Sequence, residues 1–322
     1  MRLCRFEHNG DEGVGFYFDS HLVPLNSAVK GYSEATGQTV SLPSSQNLLE
    51  FLPPNGSSSS AAQQVSDWVG QQPADWAGEF GLETSRVQLL IPFPRPNKLF
   101  LLAGNYAAHI EEGGQKAVER AETFPYVFMK PPTTTLRNPG LPVPLPSVNP
   151  NAIDYELELA VVIGREAKGI TEAEALDYVA GYTVINDISD SKFTPNPGRR
   201  ERERDKFFDW MHGKWHDDFC PCGPCVVSAN NVSDPQNLDM QLAVNGDVRQ
   251  DASTALQIFP VAAVIEFISS FVTLEPGDII STGTPAGVGN ARGVYLQPGD
   301  VVTATIEGIG TLETPMVAPG EA

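Results

Sequence analysis

The feature that most limits the fold is a succession of short apolar runs beginning at Lys98. KLFLLAGNY, YVFMK, LELAVVIG and VAGYTVIND are rich in Val, Ile, Tyr and Phe and are bounded by glycine, proline or asparagine. Runs of this length and composition predict strands, because β-branched and aromatic side chains pack well on a pleated surface. The final third alternates similar runs with PGD and GxG turns, in EPGDIISTGTPAGVG and QPGDVVTATIEGIGTLETPM. That alternation predicts hairpin-like corners of a closed or rolled sheet. Helical periodicity is confined to residues 107–123, 171–180 and 262–271. The expected class is α+β, mainly β, with helices decorating a rolled mixed sheet.

Before Lys98 the pattern is weaker. Residues 1–95 carry runs such as GVGFYF and RVQLLIPF among polar and turn-forming residues, and read as a small N-terminal domain with no assignable chemistry. Within it, LPPNGSSSSAAQQ is expected to be a solvated loop, given its prolines, glycine and serine run. Residues 96–322 form the expected catalytic domain. A chain of 322 residues that is 41% hydrophobic can bury a large core.

Charge narrows the partners. Setting 40 Asp and Glu against 21 Lys and Arg leaves a net charge of -19, which repels phosphate backbones and anionic lipid surfaces. Nucleic acid and membrane are therefore excluded as expected partners. The start, MRLCRFEHNG, lacks the apolar run of a signal peptide, and no stretch approaches the roughly 20 apolar residues that span a bilayer. A cytoplasmic location is expected. Cys220, Cys222 and Cys225 crowd into FCPCGPC, with Cys4 far away. His212 and His216 lie near in sequence, but two prolines and the lack of a second Cys-x-x-Cys pair argue against structural zinc. The three read as reduced thiols in a partly buried loop.

In DYELELAVVIG, Glu156 and Glu158 are two residues apart in a strand-like run, so both side chains leave the same face. Leading into a fully apolar stretch, such a pair suffers repulsion and desolvation unless a cation compensates. The competing reading is a strand end whose polar face meets solvent or an arginine. Asp187 ends a second apolar run, GYTVINDISD, where a neighbouring strand would bring it beside the pair; the alternative for an Asn-Asp pair is a turn or helix cap. Three carboxylates make a hard oxygen site that favours Mg²⁺, Mn²⁺ or Ca²⁺ over zinc and leaves about three positions of a six-coordinate ion open. This reading needs the three to converge, with none locked in an ion pair.

Taken in order, GNYAAHIEE, FMKP, DYELELAVVIG, GYTVINDIS, GKWHDDFCPCGP, VNGDVRQ and LEPGDIISTGTPAGVG resemble the fumarylacetoacetate hydrolase family, from about Lys98 to Met316. The resemblance implies that family's catalytic fold, with Glu156, Glu158 and Asp187 as metal ligands and a homodimer as the assembly. It implies that His109, oriented by Glu112 three residues on along a short helix, deprotonates a water, and that Lys214 stabilises enolate or carboxylate charge. Thr284, Lys130 and Tyr106 are implied substrate contacts. Where members of the family commonly read NDVSARDLQ, this chain reads NDISDSKFT, so Thr194 replaces a substrate-facing Gln. The segment that follows, PNPGRRERERDKFFDWMH, reads as a solvated loop or helix, or as an inserted lid.

The expected activity is Mg²⁺-dependent hydrolysis of a carbon-carbon bond in a small acylpyruvate or diketo acid. The alternative is a metal-dependent lyase on a 2-oxo acid, acting as decarboxylase, dehydratase or hydratase/isomerase. A third reading, from another class, is a non-catalytic protein that keeps the fold.

Overall fold

In the computed structural model, which describes residues 1–73, 76 and 79–321, the run LELAVVI becomes a strand, Leu157–Ile163, buried along its whole length. It pairs antiparallel with Val179–Asn186 on one side and Ile279–Ser281 on the other. That central place explains its composition, since a strand covered on both faces reads as a continuous apolar run. Leu157, Leu159, Val161 and Ile163 enter one core cluster, while Ala160 and Val162 enter a second on the opposite face.

Outward from Leu157–Ile163 the main sheet continues through Val179–Asn186, Cys220–Ser228, Arg2–His8, Asp11–Tyr17 and His21–Pro24. In the other direction it runs through Ile279–Ser281 and Leu99–Ala103 to Tyr126–Met129. Ile279–Ser281 and Leu99–Ala103 pair in parallel, so the sheet is mixed. A smaller sheet, Asp247–Ser253, Asp239–Val244, Val301–Ile306, Gly310–Val317 and Val143–Pro144, packs across it. Its hairpins turn at Asn245-Gly246 and near Gly308, as the final third predicts.

Two expectations are corrected, and the strands of residues 1–95 are found to join the main sheet. Arg2–His8 pairs with Cys220–Ser228, setting Arg2 opposite Val227 and Leu3 opposite Val226. The leader thus covers an edge that would otherwise present unpaired backbone groups. The serine-rich stretch is only partly loop, because Ser59–Val69 is a helix whose buried face is Ala62, Val65, Ser66 and Val69. That spacing is helical, but the serine run hides its start. The cysteines of FCPCGPC lie in the strand Cys220–Ser228 rather than in a loop, and all four cysteines are buried and unpaired.

Of the expected helices, Val261–Phe271 forms nearly as read, 107–123 contracts to Ala107–Glu112, and 171–180 becomes a 3₁₀ segment, Glu172–Tyr178. The helix after Tyr106 stops because Gly113 and Gly114 follow, the latter at a φ of +78°. No helix among the described residues is long and apolar enough to cross a membrane.

Candidate active site

Strand register brings the acidic residues together. Leu157 lies opposite Asn186, so Glu156 and Asp187 flank one paired strand end, and the Asp187 N–H donates to the Glu156 carbonyl at 2.8 Å. Glu158, Glu156 and Asp187 offer carboxylate oxygens within 4.8 Å of one another. Glu158 and Asp187 are completely buried.

The expected convergence is present; the expected freedom from basic partners is not. Lys214 Nζ lies 2.6 Å from Asp187 Oδ2 and 2.8 Å from Glu156 Oε2. Lys130 Nζ lies 2.6 Å from Asp187 Oδ1, yet its hydrogen bonds go to the carbonyls of Ile188 and Phe219. Two ammonium groups thus face three carboxyl groups, and Glu158 is the one of the three with no lysine within ion-pair distance. Its Oε2 accepts from the Gly283 N–H at 2.9 Å, but its Oε1 is buried with no hydrogen-bond partner. Burial first, then Asp187 and Glu156, push the Glu158 carboxyl well above the usual carboxylate range. Burial would raise Asp187 too, but Lys130 and Lys214 outweigh it and hold that group low.

An unpartnered buried carboxyl oxygen, whose ionisation burial and two neighbouring carboxylates oppose, and an all-oxygen donor set fit a hard divalent cation. Glu156 retains Oε1 for such a role, held by the Ser189 hydroxyl at 3.0 Å. The backbone around Glu158 is specialised. Gly283 sits at a φ of +92°, and a Cβ there would meet the Asn105 Cβ at 2.8 Å. Asn105 fixes this turn, donating to the carbonyls of Phe259 and Thr282 and accepting from the Phe259 N–H.

His109 and Glu112 form the expected dyad. His109 Nδ1 stands 2.9 Å from Glu112 Oε1, and Glu112 Oε2 accepts from the Gly287 N–H at 2.8 Å. Burial alone would raise the Glu112 carboxyl, but the His109 and Gly287 hydrogen bonds more than offset it and leave it below its ordinary range. A carboxylate on Nδ1 fixes that nitrogen as the N–H and leaves Nε2 as the basic lone pair. Only glycine fits at 287: its φ is +112° and a Cβ would stand 2.1 Å from the Arg249 carbonyl oxygen.

A cavity of about 70 Å³ lies at this point. It is bordered by the polar residues His109, Glu156, Lys214 and Thr284 and by Leu102, Phe128 and Trp210, with Lys214 Nζ 5.5 Å from the Phe128 ring centroid. Thr284 borders this cavity. Tyr106 and Lys130, the other two expected contacts, do not border it. Tyr106 is 2% exposed with its hydroxyl 3.3 Å from Met240 Sδ, so it is a core residue at the helix entrance. Lys130 is 1% exposed and spent on Asp187 and two carbonyls.

Two residues escaped the sequence reading. Gln250 is fully buried, donating from Nε2 to Thr284 Oγ1 and the Pro285 carbonyl, and accepting at Oε1 from the Leu157 N–H. Trp210 comes from the helix Asp205–Gly213, within the charged segment after Thr194. That helix is anchored by Arg199 to Asp205 and Asp209 and by Arg202 to Asp205. The segment is thus a helix that also borders the site.

Residues 98–317 match the fumarylacetoacetate (FAA) hydrolase C-terminal family, and the chain belongs to that family. Among its relatives, oxaloacetate tautomerase YisK of Bacillus subtilis is 36% identical over 83% of this chain and 85% of its own length. The 2,4-didehydro-3-deoxy-L-rhamnonate hydrolase of a Sphingomonas species is 39% identical over 69% of this chain and 73% of its own. The crystal structure of maleylpyruvate hydrolase from Sphingobium sp. SYK-6, in complex with manganese (II) ion and pyruvate, superposes with a TM-score of 0.70 at 28% identity, covering 99% of this chain and 100% of that one. The mixed, mainly β architecture and the enzymatic character of the chain follow from this membership.

Proposed function

We propose that this protein is a divalent-metal-dependent hydrolase that cleaves a small acylpyruvate into a carboxylic acid and pyruvate. The observation that carries this reading is the His109–Glu112 dyad bordering the same cavity as Glu156, Lys214 and Thr284. His109 Nε2 takes a proton from water, whose oxygen attacks the acyl carbonyl. The bond between that carbon and the pyruvoyl methylene breaks, the acyl group leaves as the carboxylic acid, and the pyruvate enolate regains a proton from imidazolium. Glu112 holds the imidazole tautomer and steadies its charged form.

Glu158 and Glu156, each with an Oε1 free of lysine, would hold the cation together with Asp187, which would exchange its contact with Lys130 or Lys214 for the ion, Mg²⁺ with Mn²⁺ or Ca²⁺ as alternatives. Bound there, it supplies Lewis-acid stabilisation of negative charge at the 2-oxo oxygen, worth several kcal/mol. Lys214 fixes Glu156 and Asp187 and keeps one of its three N–H donors for substrate oxygen. The Thr284 hydroxyl is a second donor. All four cysteines are free, a usage suited to a reducing, cytoplasmic setting. The assembly proposed is a homodimer, for which sedimentation would give about twice 34.7 kDa.

A second reading, a lyase or tautomerase on a 2-oxo acid, draws support from the likeness to an oxaloacetate tautomerase. Incubation with acylpyruvates, oxaloacetate and 3-deoxy-2-oxo aldonates, with products identified by mass, separates the two. A carboxylic acid plus pyruvate is the expected outcome. Carbon dioxide, loss of water or simple tautomer exchange would replace it with the second reading.

A further inference from the structure

We infer that Tyr155 is a positioning residue for the acid-base dyad: its hydroxyl clamps the Gly287 backbone against which Glu112 rests, and so holds His109 in the tautomer that takes a proton from water. The proton step itself rests on the hydrolase reading above.

The loop after Thr284, PAGVGN, offers few side chains by which to hold its shape. Gly287 is its most pliable point, since a φ of +112° is one that glycine alone adopts readily and glycine loses the most freedom on ordering. The loop is pinned on both sides of that residue. Upstream, Gln250 donates to the Thr284 hydroxyl oxygen and to the Pro285 carbonyl, both at 2.8 Å. Downstream, Asp154, 1% exposed, accepts from the Gly289 N–H at 2.6 Å and from the Asn290 N–H at 2.7 Å. Between the two pins, the hydroxyl of the buried Tyr155 donates to the Gly287 carbonyl at 3.2 Å.

Gly287 also meets the dyad. Its N–H donates to Glu112 Oε2 at 2.8 Å, and Glu112 Oε1 stands 2.9 Å from His109 Nδ1. The Val288 N–H shares one planar peptide with the Gly287 carbonyl, and it too helps to hold the Glu112 carboxyl below its ordinary range. A rotation of that peptide moves carbonyl and N–H together, so losing the Tyr155 hydrogen bond loosens the donors on which Glu112 rests. Tyr155 directly precedes Glu156, a member of the carboxylate cluster. One strand entrance therefore sets both the dyad and the cluster, and a misplacement of about 1 Å between reacting groups can cost about 10²-fold in rate.

Tyr155→Phe removes one oxygen and keeps the ring in the core. With Mg²⁺-loaded enzyme and acetylpyruvate, kcat should fall about 10-fold or more, while KM and the calorimetric Mg²⁺ affinity change less than about 2-fold. In a Glu112→Ala background the same change should lower kcat no further, because Tyr155 acts through Glu112. Nitrogen-15 spectra of histidine-labelled protein read the dyad without substrate. His109, assigned by its loss in His109→Ala, should be the Nδ1–H tautomer in wild type and gain Nε2–H character in Tyr155→Phe. An unchanged His109 spectrum, or an equal loss of kcat with and without Glu112, overturns the inference. Should wild type cleave no acylpyruvate, the hydrolase reading fails, and the spectrum alone then decides whether Tyr155 positions His109.

Discussion

Gln250 donates a hydrogen bond from Nε2 to the Thr284 hydroxyl oxygen at 2.8 Å. With its oxygen thus engaged as acceptor, the Thr284 hydroxyl has its own hydrogen free for the cavity, which suits an anionic substrate. Thr284→Val should raise KM about 10-fold with a smaller change in kcat, as loss of a ground-state contact does. Gln250→Leu should act on the same step and also cost roughly 1–3 kcal/mol of stability, since the Leu157 N–H and Pro285 carbonyl lose a buried partner. A double-mutant cycle on kcat/KM should show coupling above about 0.5 kcal/mol. Strict additivity would separate Gln250 from Thr284.

His109→Ala should reduce turnover by at least about 10²-fold while leaving metal affinity nearly unchanged. Steady-state kinetics and calorimetric Mg²⁺ titration on one preparation check both halves. Unchanged turnover would remove His109 from the reaction.

Glu112 predicts an acid limb of stability. Its folded pKa is depressed, because the His109 and Gly287 hydrogen bonds outweigh its burial. A depressed carboxylate stabilises the fold fully above its unfolded value, near 4.3, and loses that contribution as pH falls through the folded value. In chelator-treated protein, the melting gap between wild type and Glu112→Gln should therefore be constant from about pH 6 to 5 and close below about pH 4. A gap that persists at lower pH would argue against the pairing.

Glu158 makes opposite predictions for metal-free and metal-loaded protein. Without a cation its unpartnered oxygen faces Asp187 and Glu156, so Glu158→Gln should raise the melting temperature of chelator-treated enzyme. The same change should abolish the rise that Mg²⁺ gives wild type, which at about 100 times the dissociation constant is near 2.7 kcal/mol. Scanning calorimetry with and without the ion reads both. An undiminished Mg²⁺ response in Glu158→Gln would move the cation elsewhere.

The parts of the site readable from sequence were those set by local geometry. Two-residue spacing brings Glu156, just before the strand, and Glu158, within it, to one side, and three-residue spacing lets Glu112 reach His109 on a single helical turn. What failed depended on distant packing. Gln250 is the one buried residue of Asp247–Ser253, so no periodicity marks it. Lys130 and Tyr106 stand beside the right motifs but are drawn inward, one to neutralise Asp187 and the other to pack on Met240. The charges flanking Trp210 advertise solvent, yet several are consumed in holding its helix. The main sheet was legible from its apolar runs, whereas the entry of Arg2–His8 into it was not, since edge pairing leaves no mark on either strand.

That pairing gives the leader a mechanical stake in the chemistry. Arg2–His8 grips Cys220–Ser228, and the residue just before that strand, Phe219, offers the carbonyl that steadies Lys130 beneath Asp187. The pairing falls at Val226 and Val227, seven and eight residues along the strand from Phe219. A chimera that borrowed its first 95 residues from another member would need to rebuild that seam, and with it the strand that follows Phe219.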